Sequence, residues 1–134
     1  MKKLIFGLLL MGAAAVLFVV LTKPIATGPS AEPMGNITVT SPKAGEKVSS
    51  PITVTGTERT FEQNVVWELR ILGGDVLASG NTTGHAPDLG IFGDYSFTID
   101  VPPGAPKNLE IAVFDRSAKD GEVIDLVVVP VVLK

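Results

Sequence analysis

The chain has no cysteine, a single histidine, a single tryptophan and a single tyrosine among its 134 residues. Without cysteine there is neither a disulfide nor a lipidated cysteine, so the fold must be held by packing alone. The lone His85 has no second histidine and no thiolate to share a metal with, which speaks against a metal site through it. Nucleophilic catalysis lacks its parts. There is no cysteine nucleophile, no Ser-x-x-Lys pair, no Gly-x-Ser-x-Gly elbow and no recognisable serine partner beside the histidine, so no catalytic residue and no cofactor are assigned. Clustered Lys and Arg are missing as well. From residue 36 to 134 there are eight basic against thirteen acidic residues, a net charge of −5, which argues against nucleic acid as a partner.

What is present begins with an apolar run. Leu4 to Leu21 carries no charge over eighteen residues and follows Met1-Lys2-Lys3. At ~1.5 Å per residue a helix of that length spans roughly 27 Å, close to the hydrocarbon thickness of a bilayer. A signal peptide shares the basic start, but its apolar region is usually shorter, about 7–15 residues, and small residues mark its cleavage site. Here the nearest such site follows Gly28 and Ser30, beyond Lys23-Pro24. The expectation is therefore an uncleaved anchor over 1–21, with cleavage as the alternative. Lys2 and Lys3 favour a cytoplasmic N-terminus and place the remainder outside the cell membrane. Residues 22–35, with three prolines and two glycines, read as a linker able to hold the following domain up to about 40 Å from the bilayer.

From residue 36 the apolar period is two. Ile52 and Val54 alternate with Thr53 and Thr55; Val65, Trp67, Leu69 and Ile71 enclose Glu68 and Arg70; Tyr95, Phe97, Ile99 and Val101 alternate with Ser96, Thr98 and Asp100. About seven strands are expected, at 36–41, 51–58, 63–72, 75–81, 94–101, 108–115 and 123–133. Gly73-Gly74, Pro102 to Pro106 and Asp120-Gly121 supply the reversals. Ser41-Pro42 and Ser50-Pro51 bracket a turn over 43–47 that should protect an edge-forming first strand, and Pro130 points to an edge or bulge near the end of the last one. Seven short strands with a buried Trp67 on the third suggest an all-β immunoglobulin-like sandwich over 36–134.

Several separated motifs then add to the periodicity. Ile37 to Pro42, Gly45 with Val48-Ser49-Ser50-Pro51-Ile52, Val54-Thr55-Gly56, Phe61-Glu62 with Asn64-Val65, Gly90 with Phe92, Ser117 to Gly121 and Val129 to Leu133 occur in order. The domain resembles the Gmad-type immunoglobulin-like domain of bacterial spore germination proteins. The resemblance implies a bacterial, extracytoplasmic, non-enzymatic module of the kind that accompanies a germination-type domain or a cell-wall amidase.

Two regions offer contact residues. The stretch 83–93 holds His85, Asp88, Ile91 and Phe92, either as a binding loop or with Ile91 and Phe92 plugging the end of the sandwich. Phe61, Glu62 and Asn64 precede the Trp67 strand, where a buried Glu62 or Asn64 bridging loops competes with surface recognition. Lys119 and Asp120 sit on the last turn. Asp115, Asp120, Glu122 and Asp125 offer oxygens of the type calcium takes, but without EF-hand spacing, and turn geometry explains Asp120-Gly121 equally well. Asp88 and Asp94 lack the cleft that paired-carboxylate chemistry needs. The expected binding surface is thus Phe61, Glu62, Asn64, His85, Ile91, Phe92, Lys119 and Asp120. Its expected partners are an envelope protein or peptidoglycan, with the membrane held through 4–21. The competing expectation is an inhibitor of a surface hydrolase acting through 83–93 or 116–121.

Overall fold

The computed structural model describes residues 35–134. The anchor expected over 1–21 and the linker expected over 22–35, except its last residue Gly35, lie outside the described residues. Eight strands follow in order: β1 (Ile37–Ser41), β2 (Glu46–Val48), β3 (Ile52–Glu58), β4 (Asn64–Ile71), β5 (Val76–Thr83), β6 (Gly93–Ile99), β7 (Asn108–Arg116) and β8 (Val123–Leu133). They form two sheets, β1-β3-β6 and β2-β8-β7-β4-β5, and among the described residues there is no helix. The architecture is all-β and immunoglobulin-like. Alternation decides which face is buried: Ile52 and Val54 of β3 and Tyr95 and Ile99 of β6 turn inward, while Thr53, Ser96 and Thr98 face solvent. Opposite them, Val65 and Leu69 of β4, Leu109, Ile111 and Val113 of β7, and Val129 and Val131 of β8 complete the core.

One strand more than expected is present. The segment read as a turn over 43–47 continues into β2, which pairs in parallel with Val131 to Leu133. Glu46 and Lys47 are exposed, so no apolar period marks the strand; main-chain bonds make it, with Gly45 N–H donating to Pro130 O (2.7 Å) and Lys134 N–H to Val48 O (2.8 Å). The chain leaves the edge strand β1 at the cis Ser41-Pro42 bond and crosses to the other sheet, where β2 covers the end of β8.

Pro130 causes no bulge, because pairing with β7 runs through Glu110↔Pro130 without a shift. Leu133 N–H donates to Lys107 O, so odd-numbered residues here face β7 and the nitrogen of Pro130 faces away, where no ladder bond is lost. The irregularity lies near the start of β8 instead, between the Val113 and Asp115 pairings, where Asp125 has φ 55°. Trp67 is half-buried rather than buried. Its indole stacks on Phe97 (5.3 Å, 7°), which stacks in turn on Tyr95 (6.0 Å, 12°). The Tyr95 hydroxyl donates to Thr38 O (2.6 Å), and burial pushes its phenol well above the usual value.

Candidate functional site

Antiparallel pairing gathers three loops at one end. The pairs Ile37↔Glu58, Glu58↔Gly93, Asn64↔Thr83 and Arg116↔Val123 place residues 59–63, 84–92 and 117–122 beside the point where the chain enters at Gly35. Asn36 fixes that entry. Its backbone N–H and side-chain amide donate to the two Asp125 oxygens (3.2 and 3.1 Å), and its own Oδ1 accepts from Arg59 Nε (2.8 Å).

The platform beneath the loops is Glu58, an inward position of β3 with no exposed surface. Its Oε2 accepts from the Thr60 N–H (2.7 Å) and hydroxyl (2.9 Å), which shapes the turn that carries Phe61. Oε1 is buried with no partner among the described residues. Gly84 lies directly against this carboxylate, in space that a Cβ would occupy, and Gly93 is covered in the same way by the backbone of Ala86. Gly84 N–H donates to Gln63 O (2.7 Å), and Gln63 Nε2 reaches Ala86 O (3.3 Å). The first two loops are therefore built as one unit on a buried carboxylate.

Above this platform, large apolar side chains point outward. Phe61 and Leu89 are each 72 % exposed, Ile91 52 % and Ile124 39 %. Phe61, Leu89 and Ile124 rim a hollow of about 360 Å³, with Asp115, Asp125 and Arg59 also in its wall. A smaller hollow of about 180 Å³ adjoins it, lined by Phe61, Glu62, Asn64, Asp115, Arg116 and Ile124 among others. Asp115 belongs to both and is 8 % exposed. Burial raises its carboxyl above the ordinary carboxylate value; a bond from the Arg116 N–H (2.8 Å) acts against that, and the charges of Asp125, Glu62 and Glu58 add to the rise.

All eight expected contact residues lie at this end, though not on one surface. Phe61, Glu62 and Asn64 line the two hollows just described. Glu62 is exposed, so the buried bridging carboxylate is Glu58 and not Glu62, and Asn64 receives only a long bond from Asn81 (3.4 Å). Ile91 does not plug the sandwich, since half of it is in solvent. Phe92 is half-buried with the Arg59 guanidinium 4.6 Å above its ring. His85 is exposed and lines a separate hollow with Thr55, Thr83, Asp94 and Ser96. Lys119 and Asp120 are exposed on the last turn, where Asp120 Oδ1 accepts from the Glu122 N–H (3.1 Å). Among the described residues, no three His, Cys, Asp or Glu side chains converge as metal ligands. Leu89 and Ile124 were not singled out in sequence; an apolar residue in the loop, next to Gly90-Ile91, was the available signal for Leu89, whereas Ile124 merges into the apolar run of β8.

Comparison with known proteins completes the picture. A search of curated proteins finds no match. The family model described as the immunoglobulin-like domain of bacterial spore germination matches residues 36–122, from the start of β1 to the turn before β8. With its two-sheet fold and a match over more than half its length, the chain belongs to the Gmad2 family, the immunoglobulin-like domain of bacterial spore germination.

Proposed function

We propose that this chain is a membrane-anchored, extracytoplasmic binding module of the bacterial cell envelope, tied to germination or cell-wall processes, that holds a partner without turning it over. The observation that carries the reading is the end of the sandwich where Phe61, Leu89 and Ile124 stand exposed around one hollow, above the buried Glu58. Scattered exposed apolar residues are ordinary on soluble domains, but several converging on one hollow mark an interaction surface. Large apolar side chains favour an envelope protein over the glycan of peptidoglycan. Geometry supports the same choice. The chain enters the domain at the loop end, so a partner seated on the loops lies beside Gly35 and Asn36, where the chain leads in from the anchor proposed over 4–21.

The test is capture of envelope proteins by the full-length chain, beside co-sedimentation with purified peptidoglycan sacculi. Retention of one protein that Phe61→Ser and Leu89→Ser both abolish, with no loss for Pro103→Ser at the far end, is the expected result. Binding to sacculi that ignores Phe61 and Leu89 contradicts the proposal. If the captured protein is a wall hydrolase whose activity falls on titration, the module is an inhibitor acting through 83–93 or 116–121.

A further inference from the structure

We infer that the hollow between Phe61, Leu89 and Ile124 receives a lysine or arginine side chain of the partner protein, its aliphatic stem lying on the three apolar residues and its cationic head meeting Asp115 and Asp125. This deepens the reading of the loop end as a partner-binding surface and rests on it.

Three observations point to a cation. Asp115 is more than nine-tenths buried, yet it lines both hollows, and among the described residues its side chain takes one hydrogen bond, at Oδ1 from the Arg116 N–H. Its second oxygen makes no hydrogen bond among the described residues and is not sealed from the hollows, so it keeps acceptor capacity for a donor that enters them. Next, the charges that act on it are of its own sign. Asp125, Glu62 and Glu58 all disfavour its ionised form, so a positive group entering the hollow relieves several repulsions together.

Finally, the two arginines of this end line the hollows, but their guanidinium groups bond to groups other than the two carboxylate side chains. Arg59 donates Nε to Asn36 Oδ1 and lies over the Phe92 ring; Arg116 donates to Gly121 O (3.2 Å) and lies 5.3 Å from the Phe114 centroid. Among the described residues the one ion pair joins Arg70 to Glu68, away from this end. Among the described residues neither Asp115 nor Asp125 is therefore joined to a cation in a salt bridge, although Arg59 stands in the same wall. The rim selects what carries the positive charge. Exposed Phe61 and Leu89 suit the methylene stem of a long side chain that keeps its head in a polar environment, and do not suit a bare hydrated ion.

The experiment uses the full-length chain with labelled isoleucine and leucine methyl groups, held in nanodiscs. Two short capped peptides serve as probes, Leu-Lys-Leu and its counterpart with norleucine in place of lysine. The lysine peptide is expected to move the Ile124 and Leu89 methyl signals, to bind about 10-fold tighter than the norleucine peptide, and to weaken with added salt. Asp115→Asn, which keeps the acceptor for the Arg116 N–H, should remove that preference, while Leu89→Ser should weaken both peptides alike. Thermal melting confirms that each variant is folded. Equal binding of the two peptides, or a preference that survives Asp115→Asn, overturns the inference and leaves the partner surface intact. Absence of any shift from the lysine peptide overturns it as well, and the Phe61- and Leu89-dependent capture then decides separately whether the surface reading stands.

Discussion

Replacing Gly84 by alanine tests the platform on which the loop end is built. The new Cβ falls on the Glu58 carboxylate, which is fully buried and fixed by two bonds from Thr60, so the overlap cannot be relieved by swinging a loose side chain aside. Moving the carboxylate sacrifices hydrogen bonds to a charged acceptor, roughly 1.5–3 kcal/mol each when fully lost. Moving the backbone instead costs about 1–3 kcal/mol of overpacking. The variant gains about 0.4–1 kcal/mol from a stiffer unfolded chain, because the φ of Gly84 is not one that only glycine adopts. The net expectation is a loss of about 1–2 kcal/mol, or roughly 4–16 °C in melting temperature for a domain of this size. A double-mutant cycle gives the argument its edge. Glu58→Ala by itself should destabilise by stranding the Thr60 donors, but it also empties the space the new Cβ needs. The pair Gly84→Ala with Glu58→Ala should then be no less stable than Glu58→Ala alone, a coupling of about 1–2 kcal/mol measured by denaturant unfolding. Simple addition of the two costs would refute the reasoning.

Other consequences follow from single side chains. Asp115 titrates higher folded than unfolded, so the folded chain holds that proton more tightly; its contribution to stability is present at low pH and lost as pH rises from the ordinary carboxylate value through the raised one. Thermal melts of Asp115→Asn from about pH 3 to pH 7 should show the variant gaining on the wild type through that window, and a difference independent of pH would count against the assignment. Tyr95→Phe removes the hydroxyl's bond to Thr38 O, which should cost about 0.5–1.5 kcal/mol; unchanged unfolding would mean that the bond contributes no net stability. Phe61→Ser and Leu89→Ser, by contrast, should each alter stability by no more than about 0.5 kcal/mol, since both side chains stand mostly in water. A large loss in either would show that the residue is packed and not presented.

Sequence periodicity was enough for seven of the eight strands. A sandwich buries one face of each strand, and the alternation of Ile52, Thr53 and Val54, or of Tyr95, Ser96 and Phe97, writes that face directly. What escaped has no period to show. Strand β2 places exposed Glu46 and Lys47 against the end of β8 through backbone bonds alone, and the positive φ at Asp125 depends on how β8 meets β7. Glu58 was hidden for a related reason. A glutamate ending a run of Thr and Val reads as solvent-facing, and only the turn at Thr60 and the approach of Gly84 make a buried carboxylate tenable there. The candidate surface was legible as a set of loops, since turn-forming residues separate the strands. Which residues converge was not, because Phe61 and Leu89 come from two connections and Ile124 from the start of β8, and only the strand order brings them to one end.

Site-directed photo-crosslinking in cells that express the chain decides whether the loop end holds an envelope protein. A photoreactive residue at Phe61 or Leu89 should form a defined covalent adduct with an envelope protein, whereas the same residue at Asp75 or Gly104, in turns at the opposite end of the sandwich, should form none. Adducts confined to Asp75 and Gly104, or none at any of the four positions, would contradict a binding module that works through its loop end.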